Sequence, residues 1–128
     1  MTAINLPSSI RAFFAAVRDG DLEGLCGCFS SDALVNDQLR DFWGSGAIRG
    51  WARAEVVGER LTFIITDVRE HYGEIIVTAE VDGDFDKTGL PQPIVVSLHF
   101  TTRSDAIVRL IILANLAGDA AAVVRQLV

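Results

Sequence analysis

Four β-branched runs follow one another through the second half of the chain: Leu61 to His71, Glu74 to Phe85, Ile94 to Thr102 and Ile107 to Ala114. The links between them, at Tyr72-Gly73, Asp86 to Pro93 and Arg103 to Ala106, are too short for the crossover that parallel strands need. These runs therefore predict an antiparallel meander. In the second run Ile75, Val77, Ala79 and Val81 alternate with Ile76, Thr78, Glu80 and Asp82, which gives one buried face and one mixed face. The last run is apolar on both faces apart from Arg109, and the first carries Phe63 and Ile65 on one side with Ile64 and Val68 on the other. An outer face this apolar implies a homodimer through the sheet.

The first half reads as helices. Ile10, Phe13, Phe14 and Val17 recur at i, i+3, i+4 and i+7, so a helix is expected over about residues 6–19, with Pro7 in its first turn. Gly20 suits its end, and Asp21 caps a second helix with Leu22, Leu25, Cys26 and Phe29 on one face. Ala33 to Asp37 is a short strand, followed by a polar turn at Gln38 to Asp41 and a second short strand at Phe42 and Trp43. Ser45 then starts a third helix ending near Gly58, with Ile48, Trp51, Ala52 and Val56 on its apolar side and Glu55 pointing nearly the same way. Asp119 to Leu127 reads as a short capped helix.

The 128 residues, half of them apolar, suit a single domain with a core over residues 6–114 and an extension over 115–128. Eleven basic against seventeen acidic residues give a formal charge of −6 with no basic cluster, which argues against nucleic acid. The longest apolar run, Ala106 to Ala114, is interrupted by Arg109 and falls short of the ~20 residues that cross a bilayer. No membrane partner is expected. The amino-terminal stretch lacks the pattern of a secretory signal, so a cytoplasmic location is the expectation. Cys26 and Cys28 read as reduced thiols on the second helix, about 200° apart around its axis. Neither they nor His71 and His99 have partners at ligand spacing, so no metal and no cofactor is expected.

Asp37 ends an apolar strand beside a tryptophan-bearing helix. A carboxylate held in an apolar pocket can move protons at neutral pH, whereas one at a strand end commonly just bonds its own turn. Glu55 is the second carboxylate whose direction could bring it toward Asp37; as a helix residue near Arg53 and Arg60 it also reads as solvated. Trp43, next to the Gly44 break, suits a pocket rim, and Trp51 suits either a pocket wall or the core. Alternation sets Val96, Leu98 and Phe100 inward and His99 outward with Val95, Ser97 and Thr101.

The order helix, helix, short strand, helix and four-strand meander resembles the nuclear-transport-factor-2-like superfamily, with its ketosteroid isomerases and SnoaL-like polyketide cyclases. The carriers are D-G-D-L-E-G-L at Asp19 to Leu25, F-S-S-D-A-L-V-N-D at Phe29 to Asp37 and G-S-G-A-I-R at Gly44 to Arg49. The resemblance implies an α+β fold, a cystatin-like roll in which a cone-shaped, curved, mixed sheet wraps around three helices and encloses a ligand cavity. Phe13, Phe14, Val17, Trp43, Trp51, Val77, Leu98 and Phe100 would line that cavity. Asp37 falls where ketosteroid isomerases carry their general base. Their two oxyanion-hole donors fall on Phe13 and Leu98, which donate no hydrogen bonds. Epoxide-hydrolysing relatives use two carboxylates bridged by an arginine to aim a water. The resemblance therefore implies an apolar cavity and Asp-mediated proton transfer on a small apolar carbonyl or cyclic compound. The alternative is a non-catalytic binding or dimeric interaction module.

Overall fold

Helix α1 (Ser8–Asp19) stops where Gly20 adopts a left-handed backbone with φ 64°. That conformation lets the amides of Gly20 and Asp21 reach back to the carbonyls of Val17 and Ala16 at 3.2 and 2.9 Å. Asp21 then caps α2 (Leu22–Cys26), its carboxylate accepting from the Gly24 amide at 3.0 Å. The computed structural model describes residues 6–115, so the helix expected over 119–127 lies outside the described residues. Because α2 ends at Cys26, Cys28 is past the helix on which it was expected. It is buried, its thiol donates to the Gly24 carbonyl at 3.2 Å, and burial pushes its pKa up to about 11.

The strands are β1 (Phe29–Asp37), β2 (Arg40–Trp43), β3 (Thr62–His71), β4 (Glu74–Asp82), β5 (Ile94–Arg103) and β6 (Ala106–Ala114). They form one mixed sheet in the order β2-β1-β6-β5-β4-β3. The meander is antiparallel throughout, and β1 lies parallel to β6. β1 starts four residues earlier than its apolar pattern suggested, because the Ile107 amide donates to the Cys28 carbonyl at 2.9 Å and ties the start of the strand to β6. β4 ends at Asp82 rather than Phe85, where the Gly83 amide turns onto the Asp82 carboxylate at 2.8 Å. Three hairpins turn on paired residues at positive φ, namely Gln38-Leu39, Tyr72-Gly73 and Ser104-Asp105. Such turns match the right-handed twist of the strands they join.

The third helix changes character midway. α3 (Gly44–Trp51) continues into a π-helical turn over Ala52–Val57, in which the Gly58 amide bonds the Arg53 carbonyl at 2.9 Å. A Cβ at position 58 would lie 2.5 Å from the Ala54 carbonyl oxygen, so glycine alone fits the exit.

The core lies between the concave sheet face and the helices. Phe13 packs edge-on to Phe14 and Phe100 with centroids 5.2 and 5.3 Å away, and Ile10, Val17, Val77 and Leu98 close around it. On the convex face His99 sits between Ile76 and Ile111 of the neighbouring strands, as alternation predicts. The free start of α1 is held across the fold by Asp105, whose carboxylate accepts from Ser8 Oγ and from the Ser9 amide at 3.2 Å.

Candidate functional site

A cavity of about 250 Å³ opens at the end of the sheet where β1 and β6 finish and β5 begins. Its walls are mainly apolar, with Phe13, Leu61, Phe63, Val81, Ile94 and Val96 among them. Phe85, expected at the end of the second strand run, and Leu90, from the expected link, add a rim from the loop between β4 and β5. Among the described residues, the polar groups on its wall are Asp37, Gln38, Arg40, Trp51, Glu55 and Glu59, which come from the β1–β2 hairpin and from the third helix and its extension.

The β1–β2 hairpin builds the centre of this polar set. Asp37 and Arg40 are its closing cross-strand pair, with Gln38 and Leu39 as the two turn residues. Gln38 is clamped to β6, its backbone and side-chain amides donating to the Ile112 carbonyl at 3.0 and 3.1 Å and its side-chain oxygen accepting from the Ala114 amide at 3.1 Å. The Trp51 indole N–H donates to Asp37 Oδ2 at 3.0 Å, and Arg40 Nη2 approaches the same oxygen at 3.4 Å. Asp37 Oδ1 takes only a long bond from Gln38 at 3.3 Å, which leaves it the more open oxygen for a proton.

Arg40 also grips Glu55 in a fork, with Nη1 to Oε2 at 3.0 Å and Nη2 to Oε1 at 2.7 Å. Glu55 raises the Arg40 pKa, principally through these bonds. One guanidinium thus bridges two carboxylates on the cavity wall, and Asp37 and Glu55 are brought together. Glu59 is a third carboxylate that sequence reasoning missed. Trp51, Glu55 and Glu59 are spaced i, i+4, i+8, a signal that would have placed all three on one side of the helix and its extension. Burial, then Glu55 and Asp37, raise the pKa of Glu59. Among the described residues no cluster of His, Cys, Asp and Glu has the arrangement of a metal site.

The other expected wall residues divide. Phe13 and Trp51 line the cavity. Val77, Leu98 and Phe100 do not: they are fully buried beneath the helices, on the expected face but farther along the strands. Phe14 and Val17 line a separate groove between α1 and β3; Phe14 points about 100° away from Phe13 around the helix, and Val17 lies one turn farther along it. Trp43 is 65% exposed, since alternation along β2 sends Phe42 inward against Trp51.

A family model described as SnoaL-like domain matches residues 10–110. No curated protein matches the chain. Among solved structures, a proposed polyketide cyclase from Sinorhizobium meliloti is 25% identical with a TM-score of 0.76, covering 88% of this chain and 100% of its own. A protein of ketosteroid-isomerase-like fold from Catenulispora acidiphila, in complex with trimethylamine, is 20% identical with a TM-score of 0.70, over 91% of this chain and 92% of its own. The Δ5-3-ketosteroid isomerase of a Mycobacterium species is 14% identical with a TM-score of 0.66, over 84% and 91%.

Proposed function

The chain belongs to the SnoaL-like domain family, within the nuclear-transport-factor-2-like superfamily, and on that footing we propose that it is an enzyme in which Asp37 moves a proton on a small apolar carbonyl or cyclic compound. The observation that carries this reading is the Asp37 carboxylate on the polar side of a mainly apolar cavity, fixed through Oδ2 by the Trp51 indole, with Oδ1 holding only the long bond from Gln38. A fixed base with an open lone pair needs no reorganisation as it takes the proton. The similar Sinorhizobium protein supports a ketone-bearing substrate class, as a proposed polyketide cyclase. The cavity volume suits a compound of one or two rings. Deuterium uptake next to the carbonyl of cyclic ketones, followed by proton NMR, tests the reading with wild type and Asp37→Asn. Equal uptake by the two forms would refute it.

The Arg40 bridge favours a second reading, in which Asp37 and Glu55 aim a water at a strained ring. Turnover of epoxides but not enones or 1,3-dicarbonyls would select it. Ligand binding to both forms with no turnover of any of these would instead support a binding module. A homodimer through the convex face, in a cytoplasmic setting, is part of the same proposal. Ile64 and Leu113 support it by leaving apolar side chains on the outer surface, beside Ile76, Val95 and Ile111.

A further inference from the structure

A groove of about 350 Å³ lies between α1 and β3, apart from the cavity that holds Asp37, with Phe63 as the residue common to both walls. Its floor is apolar: Phe63 meets Phe14 edge-on with ring centroids 5.8 Å apart, and Val17 and Ile65 extend it. Arg11 and Arg18 also line it, seven residues and therefore about 10 Å apart along the helix axis. No acid joins them there. The cavity, by contrast, sets three carboxylates against one arginine, and a cleft beside Lys87 sets that lysine against Glu80 and Asp82. In a chain of formal charge −6, the groove is a cationic concavity.

A β-bulge keeps it so. Phe63 and Ile65 share the face turned toward α1, and strict alternation would add Asp67 to them. Instead the register shifts between Ile65 and Asp67, which sets Asp67 opposite Thr78 and Val68 opposite the buried Val77. Asp67 thus turns to the convex face, where it accepts from Arg69 Nε at 2.8 Å. Arg11 is left without a hydrogen-bond or ion-pair partner among the described residues, since Asp105 at the start of α1 accepts from Ser8 and Ser9. Arg18 is tied through Nε only to Asp19, its neighbour in sequence, at 3.0 Å in an exposed pair.

We propose that this groove is a second binding site, for an aliphatic carboxylate: Arg11 pairs with the carboxylate, and the chain lies on Phe14, Phe63 and Ile65. The Arg18 stem covers the chain while its guanidinium stays on Asp19. Charge and shape together select this class of ligand. An uncharged hydrocarbon would leave Arg11 unpaired beside it, and a compact anion with no chain would leave the apolar floor in water. An anionic bilayer is a poor occupant, because the site is recessed and a chain of charge −6 is repelled by such a surface. Binding here involves none of the groups around Asp37.

The test is titration of the full-length, 15N-labelled chain with octanoate, followed through backbone amide signals, with octanol as the uncharged chain and phosphatidylglycerol vesicles as the lipid surface. Octanoate is expected to move the amides of Phe14, Ala15, Thr62 and Ile65. Arg11→Gln, which keeps much of the stem and removes the charge, is expected to weaken binding about tenfold or more. Ile65→Glu, at a side chain already 40% exposed, puts an acid back on the wall and should weaken it as well. Arg53→Gln, an exposed arginine outside the groove, should bind as wild type does. Equal binding by Arg11→Gln and wild type overturns the inference, as does octanol binding as tightly as octanoate. Shifts confined to cavity residues such as Gln38 and Trp51 also overturn it. Retention on the vesicles with no octanoate shifts in the groove would assign this surface to a membrane instead.

Discussion

The Trp51 indole N–H donates to Asp37 Oδ2 at 3.0 Å, joining a nearly buried tryptophan of α3 to the last residue of β1. This bond orients the carboxylate, and the two oxygens of Asp37 become unequal. Trp51→Phe is expected to cost about 2–3 kcal/mol, from a lost bond to a charged acceptor and a partly emptied ring site. Asp37→Asn keeps an acceptor for the indole and is expected to cost less than about 1 kcal/mol. Urea unfolding of both variants checks the contrast, and equal losses would contradict it.

Glu59 links pH to stability. Its pKa is raised in the folded chain, so the folded state holds a proton over a window in which the unfolded chain has released it. The associated stability is fully present below the ordinary glutamate range and is lost as pH rises through the folded value. Glu59→Gln has no such loss, so its melting temperature relative to wild type should rise as pH climbs through and above the ordinary glutamate range. A constant difference across that range would show that Glu59 titrates normally.

Gly58 fixes the exit from the π-helical turn. With carbonyl oxygens 2.5 and 2.7 Å from where a Cβ would lie, Gly58→Ala must push the backbone outward. The expected cost is about 1–3 kcal/mol, as for other overpacked sites. Because Glu55 and Glu59 flank this point, the variant should also weaken the Arg40–Glu55 pair, visible as a changed Arg40 guanidinium signal in NMR. Unaltered stability would mean that the turn relaxes without strain.

Leu39 holds a left-handed backbone, φ 68°, with its side chain 77% exposed. Leucine gains nothing there to offset the steric cost. Leu39→Asn, which tolerates this conformation, is expected to add about 0.5–1 kcal/mol of stability without touching the cavity. Thermal melting decides it, a lower midpoint being the contrary result.

Leu113 tests the proposed dimer. It stands on the convex face opposite Ser97 of β5 and two residues along β6 from Ile111. Sedimentation of the wild type should show a species of about twice the 13.8 kDa chain mass, and Leu113→Glu should shift it to the single chain. Wild type sedimenting only at the single-chain mass at micromolar concentration would refute the dimer.

Capping residues and alternation made most of the fold legible. Gly20 and Asp21 mark a helix end and a helix start through their own backbone preferences, and β4 and β5 declare their inward faces through period-two patterns. Face, however, is not depth. On β5, Ile94 and Val96 line the cavity while Leu98 and Phe100, on the same face, lie in the core beneath α1. Where the helix ends over the sheet is a long-range matter that no local period encodes.

Local sequence therefore determined the elements, their order, the buried faces and Asp37 as an acid at a strand end, because caps, turns and periodicity act over a few residues. Only the tertiary structure joined Asp37, Arg40, Glu55 and Glu59 on one wall. That meeting depends on a hairpin turning on two left-handed residues, on a π-helical turn placed by Gly58 and on the clamping of Gln38 to β6. The clamp joins distant parts of the chain directly, and how the two local turns come to face each other across the cavity is set by packing rather than by any neighbour in sequence.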